Sequence, residues 1–117
     1  MADQINPAHY KVHPDGLQAE CIDYIRMMPF SQGAAFKYLY RLGSKDAVEQ
    51  ELGKAAWFLE DAINHAQFIN ATLIPDYPRL DPNTTHRAKA LHYIARGQLP
   101  VALSAIKHFG PRILEQR

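Results

Sequence analysis

Cationic and aromatic side chains are interleaved along residues 30–59 in a pattern that suits a phosphorylated ligand. The four cations of this stretch are Lys37, Arg41, Lys45 and Lys54, and Tyr38 and Trp57 lie among them. Guanidinium and ammonium groups bind phosphate oxygens, and an aromatic ring can stack on a base. Because the cations form no continuous run of charge, the pattern predicts a discrete pocket for a nucleotide.

Helical spacing places two of these cations side by side. Lys37 and Arg41 are four residues apart, so their heads are neighbours on a helix and repel each other by a few tenths of a kcal/mol. A bound phosphate would reverse that cost. Tyr38 is expected on the same side, whereas Phe36 and Leu39 are expected to face the core.

Five helices must position these residues. Apolar spacing, caps and stops predict helices over about 17–28, 31–42, 46–73, 84–96 and 99–109. Ser31 is the predicted N-cap of the second helix, and Gly43 its stop. The core stripe of the long third helix is predicted to contain Val48, Leu52, Leu59, Ile63, Ala66 and Leu73. The fold class is therefore all-α: a small helical domain of about five helices with one long central helix.

Trp57 and Phe68 fall nearly opposite that stripe. A monomer rarely exposes large aromatic side chains, so we expect a homo-oligomer that forms through these two residues. Cover by the C-terminal helices and stacking on a ligand remain open as alternatives.

The chain divides near residue 74, where a linker begins that contains Pro75, Pro78 and Pro82. Residues 1–74 hold six basic and nine acidic residues, whereas residues 75–117 hold seven basic and three acidic. We expect a helical domain over 1–74 and a helical extension over 75–117, which packs on the same or a neighbouring subunit.

Composition excludes several classes of protein. A net charge of +1 argues against bulk binding to nucleic acid. No apolar run is long enough for a membrane span, and no signal peptide is evident, which together predict a cytoplasmic protein. Cys21 is the single cysteine, so an internal disulfide is impossible, and its apolar neighbours place it in the core.

No motif identifies a catalytic residue. The phosphate-binding loop G-x-x-x-x-G-K-[ST] fails at Gly53-Lys54, since Val48 replaces its first glycine and Ala55 its last position. His9 and His13 are spaced for a metal only on a helix, which nearby prolines disfavour, so no metal site is predicted.

Several short motifs resemble those of a known family. They are Asn6-Pro7-Ala8-His9-Tyr10, Glu20-Cys21-Ile22-Asp23, Phe36-Lys37-Tyr38-Leu39-Tyr40-Arg41, Gly43, Lys45-Asp46, Glu51-Leu52, Lys54-Ala55 and Trp57-Phe58-Leu59. Over roughly residues 5–63 their order and spacing resemble the phage SaV-like family, a domain of unknown function whose podophage members include nucleotide kinases. Asn6 stands where the family usually has histidine. The resemblance implies a phage accessory protein that acts on nucleotides in the infected bacterial host and is often multimeric.

Residues and resemblance together leave four functions open. The first is a nucleoside monophosphate kinase-like enzyme, with Mg²⁺ as a possible companion of the nucleotide, in which His9 or Asp46 orients the acceptor and Tyr10 or Tyr38 stacks on the base. The second is a non-catalytic sponge that sequesters a nucleotide signal of host immunity. The expected ligand-binding residues are His9, Tyr10, Lys37, Tyr38, Arg41, Lys45 and Lys54.

The other two functions use the acidic residues. In a metal-dependent hydrolase, Mg²⁺ would be held by acids on facing helices. These acids are Glu20, Asp23, Glu49, Glu60 and Asp61. In a protein-binding adaptor, Lys37, Arg41 and Lys54 would instead form salt bridges with Glu20, Asp23 or Glu51.

Overall fold

The computed structural model describes residues 14–117, which form five α-helices and no β-strand. The helices are α1 (Cys21–Ile25), α2 (Phe30–Tyr40), α3 (Val48–Asn64), α4 (His86–Ala95) and α5 (Leu99–Phe109). Short 3₁₀ turns occur at Pro14–Gly16, Ala71–Leu73 and Gly110–Leu114. The predicted all-α fold is confirmed. Of these five helices, none is long and apolar enough to cross a membrane.

The first helix is shorter than its apolar pattern predicted. The Asp23 carboxylate accepts a hydrogen bond from the Glu20 backbone N–H at 3.1 Å, which fixes the start of α1. Leu17 precedes the helix and Met28 follows it, yet both side chains are buried. Cys21 is buried as predicted, and loss of solvation raises the pKa of its thiol to about 12.

Helix α2 packs against α1, α3 and α4. Phe36 and Leu39 on its inner face are fully buried, as their spacing predicted. Ser31 was wrongly predicted as the N-cap: the cap is Pro29, and the Ser31 hydroxyl donates to the Asp61 carboxylate on α3 at 2.6 Å.

Helix α3 ends nine residues earlier than predicted. Ala66 adopts a left-handed backbone with φ of 51°, which reverses the chain after Asn64. The Ala66 and Gln67 N–H groups then bond to the carbonyls of Ile63 and Ala62, which is the Schellman pattern of a helix end. Leu73 is consequently 78% exposed and Ala66 is also exposed, so their prediction as core residues was wrong.

The last two helices pack on the preceding ones within the same chain. Helix α5 contacts α3, and α4 contacts α2. The buried Arg87 on α4 donates from Nε to the Asp15 carboxylate at 2.6 Å and from Nη1 to the Leu42 carbonyl at 2.9 Å. These bonds connect Asp15, near the start of the described region, to helix α4.

Candidate functional site

Helices α2 and α3 bring three of the predicted cations together around one aromatic ring. Arg41 Cζ lies 4.7 Å from the centroid of the Tyr38 ring, Lys37 Nζ lies 5.0 Å from it and Lys54 Nζ lies 5.4 Å from it. These distances are within the range of cation–π attraction. Lys37 and Lys54, on different helices, therefore share one surface. We call these four residues the Tyr38 cluster.

A buried acid lies against this cluster. Glu51 on α3 is fully buried, and its Oε1 accepts from Arg41 Nε at 2.9 Å and lies 2.8 Å from Arg41 Nη2. Its Oε2 lies 3.4 Å from Lys54 Nζ. Arg41 is itself buried and also lies 4.0 Å from the Asp46 carboxylate. The charge of Arg41 is thus largely balanced inside the protein.

Lys37 and Lys54 are the cations of the cluster that reach solvent. The Lys54 side chain is 37% exposed, although it shares Glu51 with Arg41. Lys37 is partly exposed and makes no ion pair with any residue of the 14–117 region. An incoming anion would therefore meet Lys37 first, with Lys54 beside it.

The Tyr38 ring is already engaged. Phe58 stacks on it with the ring centroids 5.7 Å apart and the planes 13° from parallel. The three cations lie over the same ring. A base that stacked where Phe58 now lies would have to displace Phe58.

An open groove of about 270 Å³ adjoins the cluster and shares two of its residues. The groove is lined by Lys37, Tyr38 and Arg26, and its apolar walls include Pro29, Phe30, Ala34 and Phe58. A flat apolar group would fit between such walls while its charged end stayed beside Lys37.

Exposed aromatic rings continue along the same surface. Phe30 is 80% exposed and Trp57 is 59% exposed, and both touch Phe58, with centroid distances of 5.8 Å and 5.0 Å. We call Phe30, Phe58 and Trp57 the aromatic row. Neither Phe30 nor Phe58 was among the site residues that the sequence pattern predicted. Phe58 was open to prediction, because it lies one helical turn after Lys54.

The other predicted site residues have different positions. His9 and Tyr10 lie outside the described residues. Lys45 is exposed in the connection between α2 and α3 and, within residues 14–117, is not among the cations over the Tyr38 ring. The structure therefore groups Lys37, Tyr38, Arg41 and Lys54, but not Lys45.

Three of the five acids considered for a magnesium site have partners elsewhere. Asp23 pairs with Arg26 at 3.6 Å, and Glu60 pairs with Lys107 at 3.4 Å. Asp61 accepts from Ser31. Among residues 14–117, no group of three or more His, Cys, Asp or Glu side chains is placed to hold a metal ion.

Comparison with known proteins adds one match. Residues 5–60 match the sequence model of a family described as protein of unknown function (DUF3310). The matched stretch ends within α3 and includes all seven predicted site residues, whereas α4 and α5 lie beyond it. No curated protein and no solved structure matches the chain.

Proposed function

We propose that this chain is a phage accessory protein that binds a nucleotide in the cytoplasm of the infected bacterium. The observation that carries the proposal is that Lys37 and Lys54 both lie over Tyr38, and that Tyr38 and Lys37 line an open, largely apolar groove. A nucleotide has the same two parts, a flat aromatic base and an anionic phosphate.

The ligand is oriented by these two parts. Its phosphate lies beside Lys37 and draws Lys54 partly away from Glu51, while Arg41 stays paired with the same acid. Its base lies in the groove against Phe58 and Phe30. The groove volume of about 270 Å³ is close to the lower limit of small-molecule sites, so the groove itself has room for one base and its sugar.

The function that this geometry supports best is retention of the nucleotide without chemical change. Among residues 14–117, the groups that meet the ligand are cations and aromatic side chains, which hold phosphates and bases. A phage protein of this kind would sequester a nucleotide signal of host immunity.

Kinase-like phosphoryl transfer, which the family resemblance implies, is the second candidate. It is favoured by Asp46, whose carboxylate lies 4.0 Å from Arg41 and whose side chain is 40% exposed at the edge of the cluster. There it could orient the hydroxyl or phosphate that accepts the phosphoryl group. Mg²⁺ would accompany the nucleotide in that reaction.

One experiment separates these functions. The protein is screened by thermal shift against nucleoside mono-, di- and triphosphates and cyclic nucleotides, with and without Mg²⁺, and each stabilising ligand is recovered and weighed by mass spectrometry. Recovery of the unchanged ligand is the expected result. A converted ligand would establish the kinase-like reaction, and no shift with any nucleotide would leave the adaptor function.

We also propose that the protein is a homo-oligomer. The sequence pattern assigned the contact to Trp57 and Phe68, but α3 ends before Phe68, so the two residues do not share a helix. Phe68 is 40% exposed, follows the end of α3 and does not belong to the Tyr38 cluster. We therefore assign the subunit contact to Phe68.

The substitution Phe68→Ser should therefore lower the mass in light scattering after gel filtration towards that of one 13.3 kDa chain. The matched substitution Leu73→Ser, at another exposed apolar residue, should leave the mass unchanged. An unaltered mass for Phe68→Ser would contradict the assignment.

A further inference from the structure

The aromatic row offers more stacking surface than a single base can cover. A base in the groove touches Phe58 and Phe30, but Trp57 does not line the groove, contacts Phe58 and remains 59% exposed. An exposed tryptophan beside cations is a typical stacking surface for a further base.

We propose that the site takes a dinucleotide, with one base in the groove and the other on Trp57. The inference rests on the proposed nucleotide binding and specifies its ligand class. Phe30 and Trp57 flank Phe58 at centroid distances of 5.8 Å and 5.0 Å, so the two stacking surfaces are immediate neighbours.

The cations are placed for the phosphate that joins two nucleosides. Lys54 lies three and four residues before Trp57 and Phe58, so helical spacing places the three residues on one side of α3. Lys37 borders the groove from α2. A phosphate between the two bases would therefore have Lys54 on the Trp57 side and Lys37 on the groove side.

Charge argues against a second copy of the chain on this surface. In a two-fold contact the same surface is used by both subunits. A contact between two aromatic rows would therefore bring Lys37 and Lys54 of one subunit close to Lys37 and Lys54 of the other. Facing like charges oppose such a contact, whereas an anionic ligand relieves the repulsion that already exists.

The test compares ligands that differ by one base at equal charge. ADP and the 5′-phosphorylated dinucleotide pApA carry the same formal charge at pH 8, and AMP completes the series. Their affinities are measured by isothermal titration calorimetry, with the thymidine counterparts in parallel because stacking tolerates any base. We expect pApA to bind about tenfold more tightly than ADP.

The substitution Trp57→Ala identifies the second stacking surface. It should remove the advantage of pApA over ADP and leave the affinity for AMP within about twofold, since a second base contributes only to the dinucleotide. Leu73→Ala, at an exposed apolar residue outside the row, should change none of the affinities.

Three results would overturn the inference. If pApA binds no more tightly than ADP while AMP still binds, the inference of a dinucleotide ligand is wrong, but the proposed nucleotide binding is retained. If Trp57→Ala changes the oligomeric mass but not the affinity for pApA, Trp57 is a subunit contact. If none of these nucleotides binds, the inference fails together with the proposed function.

Discussion

The substitution Arg41→Ala is expected to lower the free energy of unfolding by about 3–5 kcal/mol, because it leaves the Glu51 carboxylate buried without its main partner. Both side chains are almost completely inaccessible, at 6% and 1% exposed, so water cannot replace the lost guanidinium. Lys54 remains 3.4 Å from Oε2, but it is partly exposed and makes only one contact with the acid. Urea denaturation at pH 7 measures the change.

Two control variants show whether the loss comes from the pair. Replacing both partners, as Arg41→Met with Glu51→Leu, should be much less destabilising than Arg41→Ala, since no buried charge is then left unpaired. Asp46→Asn should cost about 0–1 kcal/mol, because that contact is longer and partly exposed. An Arg41→Ala variant that loses less than about 1 kcal/mol would contradict a structural role for the pair.

Helix positions could be predicted wherever a local signal marks both ends. The predicted bounds of α5 agree with the structure, because Pro100 lies in its first turn and Gly110 follows its last residue. Helix α4 begins two residues later than predicted, at His86, because the Thr85 hydroxyl accepts from the Ala88 N–H and caps the helix there. The end of α3 had no such signal, since alanine at position 66 takes the left-handed conformation that normally indicates glycine.

The site could be predicted only in part, for a related reason. The i, i+4 spacing correctly made Lys37 and Arg41 neighbours, and pairing of the cations with Glu51 was one of the alternatives left open. The stacking of Phe58 on Tyr38, and the groove beside it, depend on how α2 and α3 align. That alignment is set by tertiary contacts such as the Ser31–Asp61 hydrogen bond between the helices, which no short motif encodes.

The second large effect is expected on binding. Lys37→Gln should weaken the affinity for a nucleoside monophosphate about tenfold, since one charge-assisted phosphate contact contributes about 1.5 kcal/mol or more. Lys54→Gln should weaken it less, because Lys54 already shares Glu51. Calorimetric titrations at low and high salt should also show a weaker salt dependence for both variants than for the unaltered protein.

The same substitution, Lys37→Gln, should have little effect on the stability of the protein. Lys37 has no ion-pair partner within residues 14–117, and it lies one turn before Arg41. The loss of its contact with the Tyr38 ring is partly offset by relief of the repulsion with Arg41, so Lys37→Gln should change the free energy of unfolding by less than about 1 kcal/mol. Lys107→Gln, which removes a charge from a side chain that does not line the groove, should leave nucleotide affinity unchanged. If Lys37→Gln lowered stability but not affinity, Lys37 would be a structural residue and the phosphate would have to bind elsewhere. Loss of affinity at full stability would separate the binding role of Lys37 from the structural role of Arg41 within the Tyr38 cluster.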